Sequence, residues 1–150
     1  MFAGSSCTHT ASMSLTYNQT TCGDMKIFIV EDSPAVRERL VEMVRDIRGM
    51  ELVGEAGSFD AAVAGITTAR PDVAILDIKL ADDHGTGIDV LTRVKGKMPG
   101  LKAIVMSNYA TPQHIKASAD AGAEYFLDKA AEFERISEIL ARIKDEIDDR

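Results

Sequence analysis

Val73-Ala74-Ile75-Leu76-Asp77 is an unbroken apolar run closed by an acid. It is too short for a buried helix and too apolar for a strand with one wet face. Such a run is expected of a strand covered on both sides, the habit of parallel sheets. A polar loop follows, and then a helix expected from about Gly87 to Lys97, with Ile88, Leu91 and Val90 or Val94 on its apolar face. Strand, loop and helix form one unit, and the chain repeats it on either side.

Toward the N-terminus, Lys26-Ile27-Phe28-Ile29-Val30 is a β-favouring run. The helix after it has Pro34 in its first turn and Val36, Leu40, Met43, Val44 and Ile47 at helical spacing, with Gly49 ending it. Leu52 to Ala56 gives a weaker strand, expected at a sheet edge. Ser58 caps a second helix that runs to about Thr68, before Pro71. Toward the C-terminus, Ala103-Ile104-Val105-Met106-Ser107 precedes a helix from about Pro112 to Ala121, stopped by Gly122. Tyr125-Phe126-Leu127 precedes a last helix from about Ala131 to the end, striped by Phe133, Ile136, Leu140, Ile143 and Ile147, with Glu138 and Arg142 as an i,i+4 pair. Five strands alternating with five helices imply an α/β fold, a doubly wound parallel sheet with right-handed crossovers.

Composition limits the rest. A chain of 150 residues with 45% hydrophobic and 27% charged residues holds one domain. We divide it into a flexible N-terminal extension, residues 1–24, rich in Ser and Thr, and a folded domain, residues 25–150, with Met25 a second candidate start. The extension lacks the basic start and apolar core of a secretory signal. No apolar run approaches the roughly 20 residues of a membrane span. The net charge of −7, without a basic stripe, disfavours direct contact with nucleic acid and suits a protein partner. Cys7 and Cys22 have no metal-ligand spacing and read as incidental thiols.

In doubly wound sheets ligands gather beyond the carboxyl ends of the strands. At those ends stand Glu31 and Asp32, Asp77, Ser107 and Lys129. Taken singly, each has an ordinary explanation: a turn acid, a loop hydroxyl, a solvated amine. Together they bring three carboxylates to one edge, where each close pair repels by roughly 4 kcal/mol at an intermediate dielectric. A cation relieves that repulsion. All-oxygen ligation with room for water and phosphate suits Mg²⁺. Lys129 and Ser107 are donors suited to phosphoryl oxygens.

Glu31-Asp32, Ala74-Ile75-Leu76-Asp77, Val105-Met106-Ser107 and Gly122-Ala123-Glu124-Tyr125-Phe126-Leu127-Asp128-Lys129 resemble, in order and spacing, the motifs of response regulator receiver domains. The resemblance covers residues 25 to about 147. It implies a flavodoxin-like (βα)5 fold with strand order 2-1-3-4-5 and a phosphorylation switch in a two-component system or phosphorelay. Asp77 would be the phosphoacceptor. Mg²⁺ would be held by Glu31, Asp32, Asp77 and the carbonyl of Lys79, with Glu31 acting mainly through water. Ser107 and Lys129 would bind the phosphoryl group, and Phe126, with Tyr125 the weaker candidate, would be the aromatic that changes rotamer. The implied partners are a histidine kinase or histidine phosphotransfer protein and a downstream protein target. The face of the fourth helix, fifth strand and fifth helix would carry the signal. Self-phosphotransfer with slow autodephosphorylation is implied, not turnover of an external substrate, and a cytoplasmic location.

Three positions depart from that pattern. Ala130 follows the lysine and Ala81 stands four residues after the acceptor, both usually proline, and the loop Leu80 to Gly87 is about two residues longer than usual. A cis bond before Ala130 would cost roughly 2.5–4 kcal/mol. These departures keep a phosphorylation-independent pseudo-receiver as one alternative; a receiver fragment of a larger DNA-binding regulator is another. Asp82-x-His84-x-x-Gly87 resembles a cobalamin-binding pattern but falls after the wrong strand. A haloacid-dehalogenase-type phosphatase would need an acid where Lys79 stands. Lys79 and Tyr109 flank the site and are candidates for tuning hydrolysis. Glu132, Arg135, Lys144 and Asp148 form either a partner face or a solvated one, and Ile147 serves either dimerisation or the core.

Overall fold

A computed structural model describes residues 23–149. Cys7, Cys22 and nearly all of the expected extension lie outside the described residues. Five strands, β1 (Met25–Val30), β2 (Met50–Ala56), β3 (Val73–Asp77), β4 (Lys102–Ser107) and β5 (Tyr125–Asp128), form one sheet in the order β2-β1-β3-β4-β5. All four pairings are parallel. This is the order expected, with the weak second strand at an edge.

The two-residue period of the strands sorts the core into two layers. Phe28, Val30, Ala74, Leu76, Ala103 and Val105 face α2 (Phe59–Ala69) and α3 (Gly87–Lys97). Ile27, Ile29, Val73, Ile75, Ile104, Met106 and Leu127 face α1 (Pro34–Arg45) and α6 (Arg135–Asp148). Every residue of β3 is buried, as its uninterrupted apolar run requires. Side-chain caps start the helices: Ser33 for α1, Ser58 for α2, and Thr86 with Asp89 as a reciprocal capping box for α3. Thr111 caps α4 (Pro112–Asp120), and Gly122, at φ +103, follows its end.

The C-terminal segment differs from the single helix expected from about Ala131. Asp128 accepts from the amides of Ala130 and Ala131, so a short helix, α5 (Lys129–Glu132), begins directly at the lysine. The chain breaks at Phe133 and Glu134 before α6. Arg135 takes both nearby acids, Glu132 and Glu138, so the expected Glu138–Arg142 pair is replaced by Glu138–Arg135. Lys144 pairs with Asp148. The charged face is thus largely self-paired, and Ile147 packs on the core. No peptide among the described residues is cis, so the bond before Ala130 is trans.

Candidate functional site

Register decides what meets at the carboxyl edge. Val30 pairs with Leu76, which sets Glu31 and Asp77 side by side one step further on. Asp77 pairs with Met106 and Ser107 with Asp128, which brings Ser107 and Lys129 to the same edge. The chain leaves β1 toward β2 on one side and returns to β3 on the other, so this is the switch point of the strand order.

Glu31 is fully buried, and Asp77 and Ser107 are buried with it. Lys129 Nζ donates to Asp77 Oδ2 at 2.9 Å and lies 2.8 Å from Glu31 Oε1. The second contact is a charge pair outside hydrogen-bond alignment, which leaves Glu31 Oε1 without a hydrogen bond. The other Glu31 oxygen accepts from Ser33 N–H at 3.1 Å. Burial dominates the charge on Glu31 and pushes its pKa up to about 7, against the opposing pull of Lys129. For Lys129, burial pulls the ammonium down, but the adjoining carboxylates of Glu31 and Asp77 outweigh it and hold its pKa above the ordinary value.

Oxygens of Glu31, Asp32 and Asp77 lie within 4.8 Å of one another. Lys129 contacts Glu31 and Asp77 of these three carboxylates, and that imbalance of charge fits a further cation of oxygen-loving type. The site opens into a cleft of about 620 Å³ whose walls include Ser107, Lys129 and the exposed Lys79. Phe126, half-buried, packs against the α2/α3 layer, whereas its neighbour Tyr125 packs against the α1/α6 layer. Gly87 lies so close to Asp77 that a Cβ there would come within 2.0 Å of the Asp77 carbonyl oxygen. No side chain larger than hydrogen fits, so α3 begins directly against the acid-bearing strand end.

Some residues of the cleft wall, and Arg37 behind it, went unread in the sequence. Arg37 donates to the Glu31 carbonyl at 2.6 Å and pairs with Glu55. Arg39 lies over the Phe133 ring, 4.3 Å from its centre. His114 and Asn108 complete the wall. The signal for the arginines was their place on the first turns of the helix that follows the acid pair. His84 of the long loop is exposed and pairs with Asp60 and Asp82, which also accepts from Phe59 N–H at 2.8 Å. Its Nδ1 is thereby committed to carboxylates.

Comparison with known proteins agrees with the fold. The family profile described as "Response regulator receiver domain" matches residues 27–141, and the chain belongs to that family. Among curated relatives, the DNA-binding transcriptional activator DevR/DosR of Mycobacterium tuberculosis is 35% identical over 105 residues, covering 70% of this chain and 48% of its own length. The transcriptional regulatory protein PdtaR of the same species is 32% identical over 104 residues, covering 69% and 49%. The chain spans about half the length of the curated relatives it matches. Among solved structures, the signal receiver domain of the putative response regulator NarL from Mycobacterium tuberculosis superposes with a TM-score of 0.73 at 24% identity, covering 81% of this chain and 96% of that one. The isolated receiver domain of RcsB from Salmonella enterica gives a TM-score of 0.75 at 23% identity, covering 82% and 90%. No helix among the described residues is long and apolar enough to cross a membrane.

Proposed function

We propose that this chain is a phosphorylation-operated switch of two-component signalling, with Asp77 as the phosphoacceptor. The observation that carries the reading is the cluster of Glu31, Asp32 and Asp77 oxygens within 4.8 Å, with Lys129 paired to Glu31 and Asp77, at the switch point of a receiver fold. An Asp77 oxygen forms the new bond to phosphorus while the bond from phosphorus to the donor breaks, and its electron pair leaves with the donor. The donor is the phosphoimidazole of a histidine kinase or phosphotransfer protein, or a small acyl phosphate. Lys129 holds the charge of the transferred group, and the Ser107 hydroxyl donates to one of its oxygens. The carboxylates of Glu31, Asp32 and Asp77 and the Lys79 carbonyl are the groups that would hold Mg²⁺. Bound there, the ion would supply positive charge opposite the phosphoryl oxygens.

Signal output follows as a population shift. Ser107 turns toward the phosphoryl group, Phe126 moves into the space this vacates, and the face of α4, β5 and α6 changes shape for a protein partner. Slow hydrolysis of the acyl phosphate returns the chain to rest.

Incubation with acetyl phosphate and Mg²⁺, followed by intact mass, tests the reading. A phosphoryl adduct on wild type that chelator and Asp77→Asn both abolish is the expected result. No adduct on folded protein, under conditions that trap short-lived acyl phosphates, would favour the pseudo-receiver. A second reading has one observation in its favour: the chain spans half of its relatives' length, and one relative is named a DNA-binding activator. In that reading the signal passes to a DNA-binding segment of the same protein. An immunoblot of source cells distinguishes them, since a band well above 16.2 kDa would establish the longer protein.

A further inference from the structure

The loop between β4 and α4 is held by a chain of contacts that begins on Ser107. Tyr109 N–H donates to Ser107 Oγ at 2.9 Å, and the Ser107 hydroxyl donates back to the Tyr109 carbonyl at 3.3 Å. The same carbonyl lies 2.9 Å from His114 Nδ1, on the first turn of α4. A carbonyl only accepts, so the proton of this contact sits on Nδ1. Thr111 fixes the histidine in turn: its Oγ1 accepts from His114 N–H at 3.1 Å and lies 3.2 Å from Nδ1. Ser107 is 3% exposed and Tyr109 is 64% exposed. A buried hydroxyl is thus tied to an exposed loop, and a histidine on the cleft wall ties that loop to α4.

We infer that His114 is a positioning residue for Ser107: it fixes Tyr109 where the serine hydroxyl is occupied by the loop, so phosphoryl binding must compete with this arrangement. The inference rests on the phosphoryl-binding role proposed for Ser107. A serine hydroxyl has one proton, and it cannot serve the Tyr109 carbonyl and a phosphoryl oxygen together. Turning the hydroxyl toward Asp77 also strips Tyr109 N–H of its acceptor. The loop then has to shift to find another partner, and the His114–Tyr109 bond resists that shift by holding the loop against α4. The phosphoryl group still prevails, because a hydrogen bond to an ionised oxygen is roughly twice as strong as one between neutral groups. His114 sets how much of that gain is left over.

His114→Ala removes the tie, whereas His114→Asn keeps an N–H near the position of Nδ1. Two quantities decide the matter: amide hydrogen exchange at Tyr109 in the metal-free protein, and the half-saturation concentration for beryllofluoride in the presence of Mg²⁺. The alanine variant should exchange about threefold to tenfold faster at Tyr109, the worth of one hydrogen bond. It should also bind beryllofluoride tighter by a similar factor. The asparagine variant should resemble wild type in both, and unchanged exchange at the core amide of Ile75 certifies the fold of each. Unchanged Tyr109 exchange in the alanine variant overturns the inference, and so does weaker beryllofluoride binding. Wild-type protein that binds no beryllofluoride overturns the phosphoryl reading beneath it. That failure is recognisable on its own, because exchange at Tyr109 reports on His114 without any phosphoryl analogue.

Discussion

Between Asp77 and α3 the chain buries Ile78 and Leu80, lays Gly87 against the Asp77 carbonyl and starts the helix with a capping box. Asp82 and His84 tie the same loop to the start of α2. Between Ser107 and α4, by contrast, every residue from Asn108 to Thr111 is exposed. Among the described residues, hydrogen bonds of Ser107, Thr111 and His114 hold that segment. The helices continue the contrast. The α3 helix buries Val90, Leu91 and Val94, while α4 buries Ser118 alone, with its hydroxyl unpartnered. One wall of the cleft is fixed by apolar packing, and the other is held by bonds that a new ligand can exchange. The switch proposed above needs both: a rigid wall to keep the acids in place and a soft one to move.

The contrast breaks most easily at the helices themselves. Leu91→Ala should cost about 2–5 kcal/mol, the usual loss for a fully buried leucine. Ile115→Ala on α4, where the side chain is 44% exposed, should stay within about 0.5 kcal/mol. Urea denaturation of the two variants measures both, and equal losses would refute the idea of a soft wall. Gly87→Ala comes next. Its Cβ would meet the Asp77 carbonyl oxygen, so α3 must back away, at a cost of about 1–3 kcal/mol for overpacking. A wild-type denaturation midpoint in that variant would mean that this wall, too, can give.

Ser118→Ala runs in the opposite direction. An unpaired buried hydroxyl costs about 1–3 kcal/mol, and alanine removes it while leaving only a small void. The variant should be more stable than wild type by about 1 kcal/mol, with slower exchange at the amides of α4. A loss of stability instead would mean that the hydroxyl has a partner in solution, such as bound water.

Strand positions and the chemistry at their ends were legible because each strand is an apolar run that stops at a polar residue. Glu31, Asp77, Ser107 and Lys129 meet where that pattern placed them. The break at Phe133 was not legible, because Phe133, Ile136, Leu140 and Ile143 keep one helical stripe across it. Only the Asp128 side chain, capping Ala130 and Ala131, starts the helical turn early. Contacts between loops were hidden for a different reason. Tyr109 with His114, and Asp60 with His84, meet through turns of the backbone that no hydrophobic period encodes. The same cause explains Arg135 taking Glu138 from Arg142: choice among exposed acids is settled by local geometry, at little cost in energy.

The smallest effect belongs to His84, and it tests whether the polar ties of the fixed wall matter beside its apolar packing. Asp60 faces it from α2 with a hydrogen bond and its charge, and Asp82 and Asp83 face it from the loop; together they raise its pKa above the ordinary 6.5. From α3, Asp89 is engaged with Thr86, and Arg93 lies over the Phe59 ring. The folded protein therefore holds the His84 proton more tightly than the unfolded chain does. The resulting stabilisation is fully present below 6.5 and is lost as pH rises through the higher folded value. His84→Gln lacks it at every pH. The stability of wild type relative to that variant should accordingly shrink as pH rises from the ordinary 6.5 through the higher folded value. Because His84 and Asp60 are exposed, salt should flatten the difference. A difference that grew with pH would reverse the sign assigned to the pair. A difference flat in pH and salt would leave Ile78, Leu80 and Gly87 as the whole reason this wall stays put.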